Sequence, residues 1–366
     1  MSDPADYYRW LRDEQPVHHH EASGSILLSR YQDVLEATLD WKTFSSKSPV
    51  SRLLHMASMD PPGHDRLRSR VARWFSPAQI ATLEPMIRET CRSLLAPLRE
   101  QDRVELVDEF SALFPSRVIH RILGIPPELD DPLRLAALAI GGAQDSAALS
   151  RGMQELESVT RQLECLDAPS TRSGIIQALQ SEVGPDRLRD DQIRGVCSNL
   201  VLAGTDTVTN LIGNGLVLLQ RHPDARRTLI ENPSRIPAAV EEILRLESPV
   251  QSLARRTTRD HALHDVEIPA GSEIRLMWGA ANRDDREFEA ADDFNLDRSG
   301  TTPLRHLALG HGIHFCLGAG LARLEAKIAF EEILAIWPGY RVEEAALVRL
   351  PSLWVRAWEQ VHLELG

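Results

Sequence analysis

The chain has 366 residues, and its 41 basic against 53 acidic side chains leave a net charge of −12, which argues against nucleic acid as the principal partner. With 43% hydrophobic and 26% charged residues it has the composition of a globular protein with a substantial core. The four cysteines (Cys91, Cys165, Cys197, Cys316) are scattered without a Cys-x-x-Cys pair, which fits a reducing compartment and excludes a disulfide framework or a cysteine-rich zinc site.

Met1 to Pro16 is polar and charged, so neither a signal peptide nor a membrane anchor is expected, and the expected location is the cytoplasm. Residues 5–14, with Tyr7, Tyr8, Trp10 and Leu11, read as a short amphipathic helix. The run His18-His19-His20 invites a metal reading, but adjacent residues of an extended segment point to alternate faces and converge poorly on one ion. Val17 and Ile26-Leu27-Leu28 around Ser23-Gly24-Ser25 predict a small hairpin. Tyr31 to Leu39 has helical periodicity, and a loop rich in Ser and Pro follows from Ser45 to about Ser58. Asp60-Pro61-Pro62 is a helix-entry signal. His64 and Arg68, four apart, share one face of the helix that follows, although Arg66, Arg70 and Arg73 also allow a solvated basic face.

Helices are predicted over Gln79 to Arg99, over Ser111 to Leu123 before Gly124-Ile125-Pro126-Pro127, and over Pro132 to Cys165 with a break at Gly141-Gly142. After a loop from Ala168 to Ser173, a short helix starts at Ile175. Asp190 to Arg221 is the longest periodic segment and is apolar over much of its circumference, the mark of a central, buried helix. Its middle reads Ala203-Gly204-Thr205-Asp206-Thr207-Val208-Thr209-Asn210. Threonines there can satisfy themselves by bonding back to the preceding turn, which also bends helices. A buried Asp206 is costly unless it has a partner or a task.

Pro237 to Leu246 is helical and holds Glu242 and Arg245, a spacing that is common for surface ion pairs. From Leu253 to Met277, alternation around an Ile-Pro-Ala-Gly turn predicts β-strands. Near the C-terminal end, Gly310 and Gly312 permit turns closed to other residues before Cys316. Leu317, Leu321, Leu324, Ile328 and Phe330 to Ile333 then recur at helical spacing, with Glu325, Lys327, Glu331 and Glu332 between them. A lone cysteine is ordinarily a small buried hydrophobe. Cys316, however, stands where a glycine-kinked loop enters a helix, and the N–H groups and positive dipole end there favour a thiolate, a ligand suited to heme iron.

Taken together these stretches resemble the cytochrome P-450 family. Gly312, His314, Cys316 and Gly318 match its heme-binding loop, Phe-x-x-Gly-x-x-x-Cys-x-Gly, with Leu309 in the Phe position. Asp60 to Arg68 matches Asp-Pro-Pro-x-His-x-x-x-Arg, Ala203 to Thr207 matches Ala-Gly-x-Asp/Glu-Thr, and Glu242 with Arg245 matches the family's structural ion-pair lock. The resemblance runs from Tyr31 to Trp354 with the motifs in family order. It implies a mainly α fold with a small β region, a single domain over residues 1–366, and heme b between the central helix and the cysteine loop with the helix after it. Cys316 would be the axial iron ligand, and His64, Arg68, Arg255 and His314 the partners of the heme propionates. Gly204 would open a groove over the iron, Thr207 would hydrogen-bond the iron-bound oxygen, and Asp206 would govern proton delivery. Two departures carry expectations: Leu309 predicts an altered redox potential, and Asp293, where an Arg often joins the Glu242–Arg245 lock, puts that pairing in doubt.

The implied function is that of a heme-thiolate monooxygenase. It takes electrons from NAD(P)H through an external ferredoxin and ferredoxin reductase, activates O2, and oxidises a mostly apolar small organic molecule of the secondary-metabolite class, free or tethered to a carrier. Arg305, Arg323, Lys327 and His311 are candidates for docking the ferredoxin. Leu53, Leu54, Met56, Leu200, Ala203, Val250, Gln251, Leu253, Leu353 and Trp354 are candidates for the substrate pocket. The chain is short between Gly124 and Ser173, which predicts a reduced lid. The competing readings are an oxidative coupling, desaturating or peroxide-driven enzyme on the same heme, a heme-binding sensor without turnover, and a metal binder built on His18 to His20.

Overall fold

The computed structural model describes residues 4–47, 56–163, 174–185, 187–298, 304–352 and 354–365. Leu53, Leu54, Cys165, Leu353 and the loop from Ala168 to Ser173 lie outside the described residues. The chain is mainly helical with small sheets, as the resemblance implied. In chain order the helices are α1 (Ala5–Glu14), α2 (Tyr31–Leu39), α3 (Gly63–Ala72), α4 (Pro77–Leu95), α5 (Leu113–Leu123), α6 (Asp130–Gly141), α7 (Ser146–Gln162), α8 (Ile175–Gln180), α9 (Asp190–Arg221), α10 (Pro223–Glu231), α11 (Ile236–Leu246), α12 (Trp278–Ala281) and α13 (Ala319–Ile336). The strands are β1 (Val17–His20), β2 (Ser25–Leu28), β3 (Phe44–Ser45), β4 (Arg103–Glu105), β5 (Leu253–Thr257), β6 (His261–Leu263), β7 (Val266–Ile268), β8 (Glu273–Leu276), β9 (Arg341–Val342), β10 (Val348–Arg349), β11 (Trp358–Gln360) and β12 (His362–Glu364).

The described residues fall into two compact units. One is drawn from within Met1–Pro49, Asn214–Ala319 and Leu353–Ala357. Its sheet runs β1-β2-β8-β5-β3, with β2 and β8 parallel and the other pairs antiparallel. The expected hairpin is β1–β2, in register Val17↔Leu28 to His20↔Ser25. Every residue of β2 is buried. Because successive side chains of a strand alternate between faces, Ile26 and Leu28 join the core formed with Val34, Phe44 and Ile274, while Leu27 joins Tyr8, Leu11 and Met277.

The Glu242–Arg245 pair lies in this unit and is buried on both sides. Arg245 Nε and Nη2 each donate to the Glu242 carboxylate at 2.8 Å. Arg245 Nη1 also reaches the Asn282 and Ala291 carbonyls at 2.8 and 2.6 Å. The departure at Asp293 resolves in an unexpected way. Arg245 donates to the Asp293 backbone carbonyl at 3.0 Å, and the second arginine is Arg298, whose Nε donates to Glu242 Oε1 at 2.9 Å. The lock thus keeps two cations on one buried carboxylate, with the later arginine supplied five residues beyond Asp293. Asn282 relays it onward, since its Nδ2 donates to Ser248 Oγ at 2.8 Å and its Oδ1 accepts the Leu307 N–H at 2.6 Å.

The other unit is drawn from Val50–Gly213, Gly320–Ser352 and Trp358–Gly366. Most of the helices lie here, together with the antiparallel sheet β4-β12-β9 and the pair β10–β11. The break predicted at Gly141-Gly142 separates α6 from α7, and α7 starts on Asp145, whose carboxylate accepts the Ala148 N–H at 2.7 Å. The region expected to be short holds these two helices, of 12 and 17 residues. The stretch of α9 up to Gly213 is buried along Ile193, Val196, Cys197, Leu200, Val201, Val208, Leu211 and Ile212, as its all-round apolar pattern requires.

Candidate functional site

Leu307 is the anchored start of the cysteine loop, and backbone bonds close the rest of it. The Gly310 N–H donates to Leu307 O at 2.8 Å, Phe315 N–H to Gly312 O at 3.1 Å, and Cys316 N–H to Leu309 O at 2.8 Å. Gly310 and Gly312 both sit at φ +66°, in the left-handed region where a side chain is strained, which explains glycine at both positions. Leu309 is buried, and the group it gives the turn is its backbone carbonyl, so the change from Phe leaves the turn itself intact. Cys316 is half-buried, and α13 begins three residues later. Among the described residues nothing accepts the Leu317 or Gly318 N–H. A Cβ added at Gly318 would meet no atom within 4 Å. The sulfur is therefore followed by two outstretched N–H donors and open space, at the positive end of a helix.

Arg255 and His314 belong to the same unit as Cys316. Arg255 is buried on β5, with Nη1 donating to Ala254 O at 2.8 Å, and His314 is half-buried in the Gly312–His314 turn. Gln251, expected in the pocket, is committed elsewhere: its Oε1 accepts from Tyr8 Oη and its Nε2 donates to Ser248 O, both in the core. Trp354 stacks on the Arg275 guanidinium at 3.6 Å.

Asp206, Thr207, Gly204, His64 and Arg68 belong to the other unit. His64 is buried on α3, its Nδ1 2.8 Å from Asp65 Oδ1, and Arg68 follows one turn later, half-buried. In the middle of α9, Ala203 is exposed and Gly204 and Thr207 are half-exposed, although their helix is otherwise buried. Gly204 is not what opens this face. A Cβ there would stand 3.1 Å from Ile119 Cγ1, so its smallness serves the close approach of α5, and the opening lies at Ala203. Thr207 Oγ1 donates to Ala203 O at 2.8 Å, and Thr209 Oγ1 bonds Thr205 O and Ser111 O at 2.8 and 2.9 Å, so back-bonding is present at these two threonines, while the buried Thr205 hydroxyl has no partner among the described residues.

Asp206 is buried, and loss of water raises its pKa to about 6, against a smaller opposing effect of the Asn210 side chain four residues on. A carboxyl in that range exchanges protons near neutral pH. Asn210 could have been found from the sequence by its i+4 spacing from Asp206, which places both on one helix face. Glu325 was read among the polar positions of the last helix, but α13 buries it fully. Burial raises its pKa well above the usual carboxylate range, and its Oε1 has no partner among the described residues. Of the expected docking charges, Arg305 is exposed, whereas Lys327 is drawn into pairs with Glu331 at 3.1 Å and Glu84 at 3.9 Å. Among the described residues no helix is long and apolar enough to cross a membrane.

Comparison with known proteins places these features. The family described as Cytochrome P450 matches residues 153–337. Cytochrome P450 130 of Mycobacterium tuberculosis is 36% identical over 378 aligned residues, covering 96% of this chain and 93% of that protein. A mutant of P450 EryK in complex with erythromycin B superposes with a TM-score of 0.91 at 30% identity, over 99% of this chain and 96% of that one. P450BioI in complex with hexadec-9Z-enoic acid ligated acyl carrier protein gives 0.89 at 28% identity, over 99% and 98%. The motifs in their order, the fold that carries them and relatives spanning nearly the whole chain agree: the chain belongs to the cytochrome P450 family and is one of its monooxygenases.

Proposed function

We propose that the chain holds heme b through the Cys316 thiolate and oxidises a mostly apolar small organic molecule of the secondary-metabolite class, free or tethered to a carrier protein. The observation that carries this reading is the cysteine turn, where a half-buried sulfur is followed by Leu317 and Gly318 N–H groups that no acceptor takes among the described residues, and where a Cβ at Gly318 would meet no atom within 4 Å. That donor set fits a thiolate ligand and a flat cofactor lying against it. Bound heme supplies the activation of dioxygen and the oxidation of a C–H bond.

The chain's own residues have distinct tasks in this reading. The guanidinium groups of Arg68 and Arg255, with His64 and His314, hold the cofactor's carboxylates by charge-assisted hydrogen bonds. Ala203 keeps α9 open where a larger side chain would occupy space. Asp206, whose carboxyl titrates near pH 6, takes up and yields a proton. Thr207 delivers it by turning its O–H away from the Ala203 carbonyl, to which it now donates. Electrons come from NAD(P)H through a ferredoxin reductase and a ferredoxin, and the exposed Arg305 offers an acidic ferredoxin a point charge. Near-complete coverage by the relatives supports residues 1–366 acting as one cytochrome P450 domain.

The relatives also support the substrate class, since one was solved with erythromycin B and another with an acyl chain on its carrier protein. The test has two arms. The reduced carbon-monoxide complex is expected to show the red-shifted Soret band of thiolate ligation and to lose it in Cys316→Ser; retention in that variant would rule out the ligand. Titration with free apolar metabolites and with carrier-bound acyl chains, read as Soret shifts, then decides which form of substrate binds.

A further inference from the structure

β1 is the edge strand of the five-stranded sheet and carries the three consecutive histidines. Strand alternation leaves His19 exposed and sets His18 and His20 together on the other face, ring centres 6.4 Å apart and planes at 61°. An imidazole that ligates an ion through nitrogen has its ring centre about 3.2 Å from the metal. Two rings sharing an ion therefore have centres about 5 Å apart at a tetrahedral angle and about 6.4 Å apart in line, so the observed separation is within what one shared ion spans once the rings turn a nitrogen toward it.

The surroundings prepare the rings for it. His20 Nδ1 lies 2.8 Å from Ser23 Oγ. The Ser23 hydroxyl itself donates to the His20 carbonyl at 3.5 Å, and its oxygen accepts the Ser25 N–H at 3.3 Å. In the tautomer that carries its proton on Nδ1, His20 donates to Ser23 Oγ and the lone pair of the ring falls on Nε2. Histidines that bind metals carry this kind of support on the second nitrogen. His18 is backed by Trp10, with ring centres 5.2 Å apart in an edge arrangement.

We propose that His18 and His20 form a two-imidazole site for a divalent transition metal, with water completing its shell. Among the described residues no group of three or more His, Cys, Asp or Glu side chains is placed to hold an ion, so the site is bidentate and favours Cu2+ over Ni2+ and Zn2+. It differs from a generic histidine run in leaving His19 out, and it stands apart from the heme reading. The experiment is a calorimetric titration of the heme-loaded full-length protein with NiCl2 after removal of loose metal by a chelator. One site is expected, weakened at least about tenfold in His18→Gln and in His20→Gln and unchanged within about twofold in His19→Gln. Absence of binding, an equal loss in His19→Gln, or full binding in either of the other two variants would overturn the proposal. All three side chains lie at least partly in solvent, and the Soret spectrum of each variant reports that its fold is retained.

Discussion

The carboxylate of Asp206 occupies the space where a Gly141 side chain would begin: a Cβ at Gly141 would lie 2.7 Å from Oδ2, 2.8 Å from Cγ and 2.9 Å from Oδ1. The last residue of α6 therefore closes over the buried acid of α9. Gly→Ala within a helix ordinarily stabilises by about 1 kcal/mol. Here the added carbon must displace a buried carboxylate, an overpacking cost of about 1–3 kcal/mol that outweighs the helical gain. Gly141→Ala should lower the melting temperature and shift the pH dependence of product formation toward that of an acid in water. An unchanged melting temperature and pH profile would mean that α6 yields without disturbing Asp206.

Asp206 itself should leave a signature in stability against pH. Its folded pKa, about 6, lies above the ordinary 3.8, so the folded protein holds the proton more tightly than the unfolded chain does. The associated stability is complete below about pH 4 and is lost as pH rises through about 6, amounting to about 3 kcal/mol for a shift of this size. Asp206→Asn should remove that slope, being more stable than the parent at pH 7.5 and no more stable at pH 3.5. Denaturant titrations at the two pH values decide it.

Thr207 holds its hydroxyl on the Ala203 carbonyl, an arrangement that serine can copy and alanine cannot. In its proposed role, Thr207→Ala should go on consuming NAD(P)H while product per NAD(P)H falls several-fold, and Thr207→Ser should restore most of the coupling. Equal coupling in all three proteins would assign the hydroxyl to the helix alone.

The lock makes a prediction that separates Arg298 from Asp293. Removing Glu242 strands the Arg245 cation in the interior, and Glu242→Ala should cost about 3–5 kcal/mol. Arg298→Ala leaves Glu242 with Arg245 and the Asn295 N–H, at a cost of about 1–3 kcal/mol. Asp293→Ala should be close to neutral, because Arg245 takes the backbone carbonyl there. Urea unfolding of the three variants orders them.

Leu309 is buried beside the cysteine turn, so Leu309→Phe restores the aromatic residue usual in the family at the expense of about 1–3 kcal/mol of overpacking. A changed midpoint potential in potentiometric titration is expected. An identical potential would assign the position to packing only.

The positions that could be read from the chain are those where one residue type meets one local demand. Gly310 and Gly312 answer to backbone conformation, Cys316 to its place before a helix, and Asp206 to its misfit on an apolar segment. What escaped depends on partners distant in sequence. Arg298 is one arginine among many until Glu242 is seen beside it, and nothing around Gly141 or Asn282 announces what each touches. Gln251 stands between Val250 and Leu253 in the chain and looks available beside them, whereas Tyr8, 243 residues earlier, claims its amide. Glu325 falls between the apolar positions of the last helix by spacing, yet it is buried, because periodicity counts polarity and burial follows packing.

The chain of bonds from Glu242 through Arg245, Asn282 and Leu307 to the Cys316 turn contains only polypeptide. The cysteine turn is thus tied to the same contacts that fold its unit. Damage to the lock should therefore be felt at the turn: on the proposed heme reading, Glu242→Ala should leave the protein with less heme, while the spectrum of the fraction that holds it stays unchanged.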